Sequence, residues 1–181
     1  MLQTLKSRLP DRGEVMSVYA VILFFLFGWA TIVFLWKFPA WLYYANLGEV
    51  AVFYLYTVFT EVLEGFFYLV ILLLLCVLLP VSFFKEHFSV RGTIMGLALP
   101  AWLLLMQYFI AFHDFGNGLA VLLSALIAGG LASLWMWLSV KYAIFERVAR
   151  LLVERTPIFL YVYLPLAALS LVILSVRNMG S

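Results

Sequence analysis

The chain has 181 residues, 67% hydrophobic and 18% aromatic, with only 11% charged and a formal net charge of +2. Soluble domains are about half apolar and about a quarter charged. A soluble globule of this size cannot hide so much apolar surface, so an ordinary soluble domain is excluded and lipid is the solvent for most of the chain.

A spanning segment must satisfy its own backbone, which leaves helices or closed barrels. The apolar stretches here are continuous rather than alternating, which selects helices. The expectation is an all-α, polytopic integral membrane protein of one domain, 1–181. Five runs are each about long enough to cross once.

The first, about 15–36, follows a basic front of Lys6, Arg8 and Arg12. It is too long for a secretory h-region, and LWKFPAWLYY offers no small-x-small cleavage site, so it reads as an uncleaved signal anchor. The segment 38–59 is aromatic and nearly uncharged. Trp41, Tyr43, Tyr44, Tyr54 and Tyr56 are residue types that settle at headgroup level. An outer interfacial segment is expected, with a long second helix from about Gly48 as the competing reading.

The second span, about 62–84, opens with TEVLEGFF, residues 60–67. Tyr54, Thr57, Glu61, Glu64 and Tyr68 recur at steps of 3, 4, 3 and 4, which sets them on one helical face. They form a polar stripe at the outer head of this span, facing protein, water or a polar ligand. Cys76, in the same run, is the lone cysteine, so an intramolecular disulfide is excluded.

The third span, about 93–112, contains Pro100, which should bend it or free a carbonyl for another partner. Gln107 should hydrogen-bond a neighbouring helix. The loop before it holds His87, read as a solvated residue. The fourth span, about 118–140, places Ala125, Gly129 and Ser133 at four-residue spacing, with Ala128 and Ala132 one step round. Such residues permit close helix approach, within the monomer or at a dimer seam.

Residues 141–155 are amphipathic, with Phe145, Val148 and Leu152 opposite Glu146, Arg147, Arg150 and Glu154. Lys141, Arg147, Arg150 and Arg155 would meet anionic lipid on the inner surface. The competing reading is a fourth helix running on past the membrane. Nucleic acid is not expected, because so few cations sit so close to the bilayer. The fifth span, about 157–176, starts at Pro157, a residue suited to a first turn, and carries Pro165.

Lys and Arg counts orient the chain. With the N terminus inside, Lys6, Arg8, Arg12, Lys85, Arg91, Lys141, Arg147, Arg150 and Arg155 are cytoplasmic, and Lys37 and Arg177 are outside. Nine against two favours this arrangement, with the C terminus outside and the plasma membrane, bacterial inner membrane in type, as its location. Glu61 and Glu64 would then approach His113 and Asp114 at the outer end of the spans 2–3 hairpin. Those four are the candidate catalytic or metal set, although plain interfacial exposure also accounts for such pairs. Two histidines and one cysteine exclude a buried structural zinc site. No cofactor is expected.

The layout, with FPAWLYYANLGEV (Pro39, Tyr43, Tyr44, Asn46, Glu49) leading into TEVLEGFF, resembles the N-terminal membrane module of lipoteichoic-acid-synthase-like proteins of the sulfatase/alkaline phosphatase superfamily. The resemblance implies five spans, a cytoplasmic N terminus and an interfacial segment after span one. That family's metal and nucleophile residues lie in an extracellular domain absent from these 181 residues, so none is carried over. The expected function is a non-catalytic membrane module of a cell-envelope or membrane complex, with a membrane or extracytoplasmic protein partner. The alternatives are a small membrane enzyme acting on lipid headgroups or lipid-linked substrate, and a channel or transporter subunit forming a homo-oligomer through span four.

Overall fold

The computed structural model describes residues 9–78, 84, 87–112 and 117–179. Among them every regular element is a helix: α1 (Arg12–Trp41), α2 (Leu47–Leu78), α3 (Phe88–Phe112), α4 (Asn117–Lys141), α5 (Ala143–Arg155) and α6 (Pro157–Met179). Five of these, all but α5, are long and apolar enough to cross a membrane. The protein is an all-α, multi-pass membrane protein.

The N-terminal helix is the packing centre. Val18, Tyr19, Ala20, Val21, Ile22 and Leu23 are all buried. Six consecutive residues visit every side of a helix, so α1 is covered all round at this height. Fifty-six per cent of its most apolar stretch is buried, against 22% in α2, α4 and α6. Removing α1 as a cleaved signal would therefore remove the core itself.

Contacts around α1 fix the directions. Phe24 packs on Phe159 and Phe27 stacks on Tyr163 at 4.1 Å, so α6 runs parallel to α1. Val18 lies against Gly92 and Ile22 against Gly96, so α3 is parallel too. Leu23 meets Gly65, and the Thr31 and Tyr54 hydroxyls lie 3.3 Å apart, so α2 is antiparallel. Helix α4 packs beside α3, where the Trp102 indole donates to Ser124 at 3.0 Å. The short helix α5 crosses the end of the bundle where α1 and α3 begin, with Ala149 buried against Val90, Ile94 and Ala132.

The segment 38–59 is not a separate interfacial element. Its beginning completes α1, a turn occupies 42–46, and the remainder forms the first three turns of α2. The competing long-helix reading is the one the structure adopts, for a local reason. The Asn46 side chain accepts from the Glu49 amide at 3.0 Å, and the Glu49 carboxylate accepts from the Asn46 amide at 2.9 Å. This reciprocal capping box, worth about 1 kcal/mol, starts α2 at Leu47. Thirty-two residues follow, with no proline to stop them. Above the bundle, Trp41 packs on Phe34 and Phe53, and Phe34 packs on Tyr54, zipping the α1–α2 hairpin together. Tyr43 and Tyr44 at its tip are 86% and 92% exposed.

Helices α3 and α6 continue through Pro100 and Pro165. Pro157 opens α6 as expected.

Gly65 leaves no room for a side chain against α1: a Cβ there would lie 2.6 Å from Leu23 Cδ2 and 3.4 Å from Tyr19 Cε2. Gly65→Leu is expected to push the two helices apart and cost about 1–3 kcal/mol. A lowered unfolding midpoint in mild detergent would show it; an unchanged midpoint would mean that the contact is not tight.

Candidate functional site

The long α2 changes the height of the two acids. Glu61 and Glu64 occupy the middle of the helix, with fourteen residues on either side of the pair. Each flank is therefore about 21 Å long at about 1.5 Å per residue. The partners of α2 on α1 give the same height. Cys76 packs in one cluster with Val18, Gly65 meets Leu23, and Tyr54 meets Thr31 and Phe34. The acids are thus level with the centre of α1's apolar run, not with its outer end as the sequence suggested. The apolar run alone places the start of the span at about residue 62; the capping box starts the helix fifteen residues sooner.

Both carboxylates are half-buried. Neither has a hydrogen bond or ion pair to a described residue; the one described ion pair is Arg150 with Glu146 at 2.6 Å. The rest of the stripe is partly engaged. Tyr54 is turned to α1 through Thr31 and Phe34. The Thr57 hydroxyl donates to its own helix at the Phe53 carbonyl, 3.0 Å away. Tyr68 packs beside the cluster of Val18, Ile22 and Leu72. Further round α2, Leu63, Phe66, Phe67 and Leu74 are exposed and apolar, as a lipid-facing surface requires.

His113 and Asp114 lie outside the described residues, as do Lys6, Arg8 and Lys85 and the side chain of Gln107. Among the described residues no three His, Cys, Asp or Glu side chains gather as a metal set.

Below the acids, α2 and α4 part to leave an apolar crevice of about 340 Å³ floored by α3. Its walls are Ile71, Leu72 and Leu75 on one side and Ala125, Gly129, Ser133 and Met136 on the other, with Met95, Ala98 and Trp102 beneath. The small residues of α4 divide accordingly. Ala128 and Ala132, 3% and 6% exposed, make the packed stripe together with buried Ala120 and Ser124. Ala125, Gly129 and Ser133 are exposed along the crevice, and a Cβ on Gly129 would meet nothing within 4 Å. Within the monomer the close-packing register is one residue round from Ala125, Gly129 and Ser133.

At the end of the bundle where α3 starts, His87, Val90, Arg91, Ser139 and Glu146 line a polar pocket of about 230 Å³. Arg12, Lys141, Arg147, Arg150 and Arg155 belong to the same end, whereas Lys37 and Arg177 belong to the opposite one. All four expected lipid-surface cations, Lys141, Arg147, Arg150 and Arg155, are exposed. Phe145 and Leu152 are drawn partly against the bundle beside Ala149, while Val148 joins Ile144 and Leu151 on an outward apolar strip.

His87 is exposed, in keeping with a solvated residue, and also lines this pocket, a placement that needed the α4 and α5 walls to become visible. The Asn46–Glu49 cap was also missed, although the N-x-x-E signature was present in the sequence.

Comparison with protein-family models, curated proteins and solved structures finds no match to this chain.

The two α4 registers differ in tolerance. Ala132→Leu is expected to cost about 1–3 kcal/mol by overpacking against α3 and α5. Gly129→Leu projects into open space and is expected to change stability by less than about 1 kcal/mol. Detergent unfolding of both variants checks the assignment, which fails if their effects are equal.

Proposed function

We propose that this chain is a non-catalytic subunit of a larger membrane complex, docked to its partner through the α2 face that carries Glu61 and Glu64. The observation supporting this most directly is the height of those carboxylates. They stand at the middle of an apolar helix, half-buried and without a described protein partner. Ionisable groups at that depth are costly and mark functional contacts, where a second charge or hydrogen-bond donor offsets the penalty. The partner is a transmembrane segment that brings a Lys, Arg or other strong donor to mid-bilayer.

The membrane is the plasma membrane, bacterial inner membrane in type, and α1 serves as signal anchor. The N terminus is cytoplasmic and the C terminus outside, which puts the basic end of the bundle in the cytoplasm in keeping with the excess of Lys and Arg there. The resemblance to the membrane module of lipoteichoic-acid-synthase-like proteins favours the same orientation and a role in the cell envelope.

If the acids dock a partner, Glu61→Gln combined with Glu64→Gln will weaken its co-purification at least about 30-fold, as expected for loss of one side of a buried charge pair. The isolated subunit should remain at least as stable, because two uncompensated charges have been removed. A partner retained at full stoichiometry by the double variant would refute docking through this face. Orientation is checked separately: a periplasm-dependent reporter fused after Met179 should be active, and activity only of a cytoplasm-dependent reporter there would reverse the topology.

A further inference from the structure

The crevice and the polar pocket share one register. On α3, Arg91, Met95, Ala98 and Trp102 follow at steps of 4, 3 and 4, so they lie along one face. On α4, Ala125, Gly129, Ala132, Met136 and Ser139 do the same at steps of 4, 3, 4 and 3. Arg91 and Ser139 line the polar pocket, and the remaining residues of both rows line the crevice. The two cavities therefore succeed one another along the α3–α4 seam, polar at the end of the bundle and apolar toward its middle.

From these observations we infer that the seam is a binding site for one phospholipid of the leaflet at the basic end. Its phosphate is held by Arg91 and His87, and one acyl chain lies in the crevice. Eleven residues separate Arg91 from Trp102, a rise of about 16 Å. Half a hydrocarbon core is about 15 Å, so the apolar length suits one leaflet's chain. The pocket also contains a carboxylate, Glu146, but its Oε1 accepts from Arg150 Nε at 3.0 Å and from Nη2 at 2.6 Å, which offsets its repulsion of a phosphate. At the far end of the crevice the Trp102 indole is already satisfied by Ser124, so that end presents carbon rather than a donor. The outward apolar strip of α5, Ile144, Val148 and Leu151, keeps this end of the bundle at the membrane surface, where a headgroup is within reach.

The test uses the full chain in mild detergent, titrated with long-chain phosphatidylglycerol and followed by native mass spectrometry, with circular dichroism to confirm that each variant is folded. The wild type should retain one lipid. Arg91→Gln should weaken retention about tenfold, the scale of one charge-assisted hydrogen bond. Gly129→Leu, whose side chain enters the crevice, should weaken it comparably. Lys141→Gln, an exposed cation at the same end, should not. A short-chain phosphatidylglycerol should bind more weakly than the long-chain form to the wild type, which tests the crevice without any variant. Wild-type retention by both Arg91→Gln and Gly129→Leu would overturn the site, as would an equal loss in Lys141→Gln, which would mean diffuse surface attraction. Equal displacement by inorganic phosphate and by competing long-chain lipid would replace it with a simple phosphate site. Because neither Glu61 nor Glu64 contributes to this seam, failure here leaves partner docking through those acids standing, and the reverse also holds.

Discussion

The structure depends on burial of α1 on every side between residues 18 and 23. Lipid tails are as apolar as leucine, so solvent aversion alone does not hold membrane helices together; close packing must. The close packing is visible at Gly65 and Gly96, where the absent Cβ leaves room for Leu23 and Ile22. With α2, α3 and α6 seated around α1, α4 rests on α3 and, at the basic end, on α5. The crevice between α2 and α4 is a consequence: α2 leans on α1 and α4 leans on α3, so the two do not close on each other.

The same arrangement sets the depth of the polar groups. Helix α2 is about 48 Å long at about 1.5 Å per residue, well beyond a hydrocarbon core of about 30 Å. Length alone does not say which part of it crosses. Pairing with α1 does, because Cys76, Gly65 and Tyr54 meet successive levels of a helix whose own apolar limits are clear. Two glutamates that would be unremarkable where a helix surfaces become costly groups in mid-bundle. The buried hydroxyls answer the same constraint internally: Thr93, Thr156 and Ser170 each donate to the carbonyl four residues back. An ionised carboxylate has no proton to donate in this way, and neither Glu61 nor Glu64 has a hydrogen bond or ion pair to a described residue.

The two ends of the bundle are chemically distinct. One gathers arginines, an amphipathic helix and a polar pocket. The other is an aromatic hairpin tip, stapled to α6 where the Tyr56 hydroxyl donates to Asn178 at 3.4 Å. This polarity matches a bilayer whose two faces differ, and it gives each leaflet a separate surface to meet.

The sequence by itself determined the class, the number of spans and most helix starts. Apolar run length, Pro157 at a first turn and the amphipathic period of 143–155 are local properties that survive without tertiary context. The Asn46–Glu49 cap is equally local, but it lies within aromatic residues that also suit an interface, so the apolar run by itself puts the start of α2 too late. Which helix is central was not legible, because all five runs are similarly apolar and only contacts rank them. Nor was the split of α4, where Ala128 and Ala132 pack while Ala125, Gly129 and Ser133 remain open; spacing shows that small residues share a face, and the neighbour decides which face is used. The polar stripe was visible as a period in the sequence. Its depth was decided by the antiparallel register of α1 and α2, a long-range property set by how Leu23 fits over Gly65.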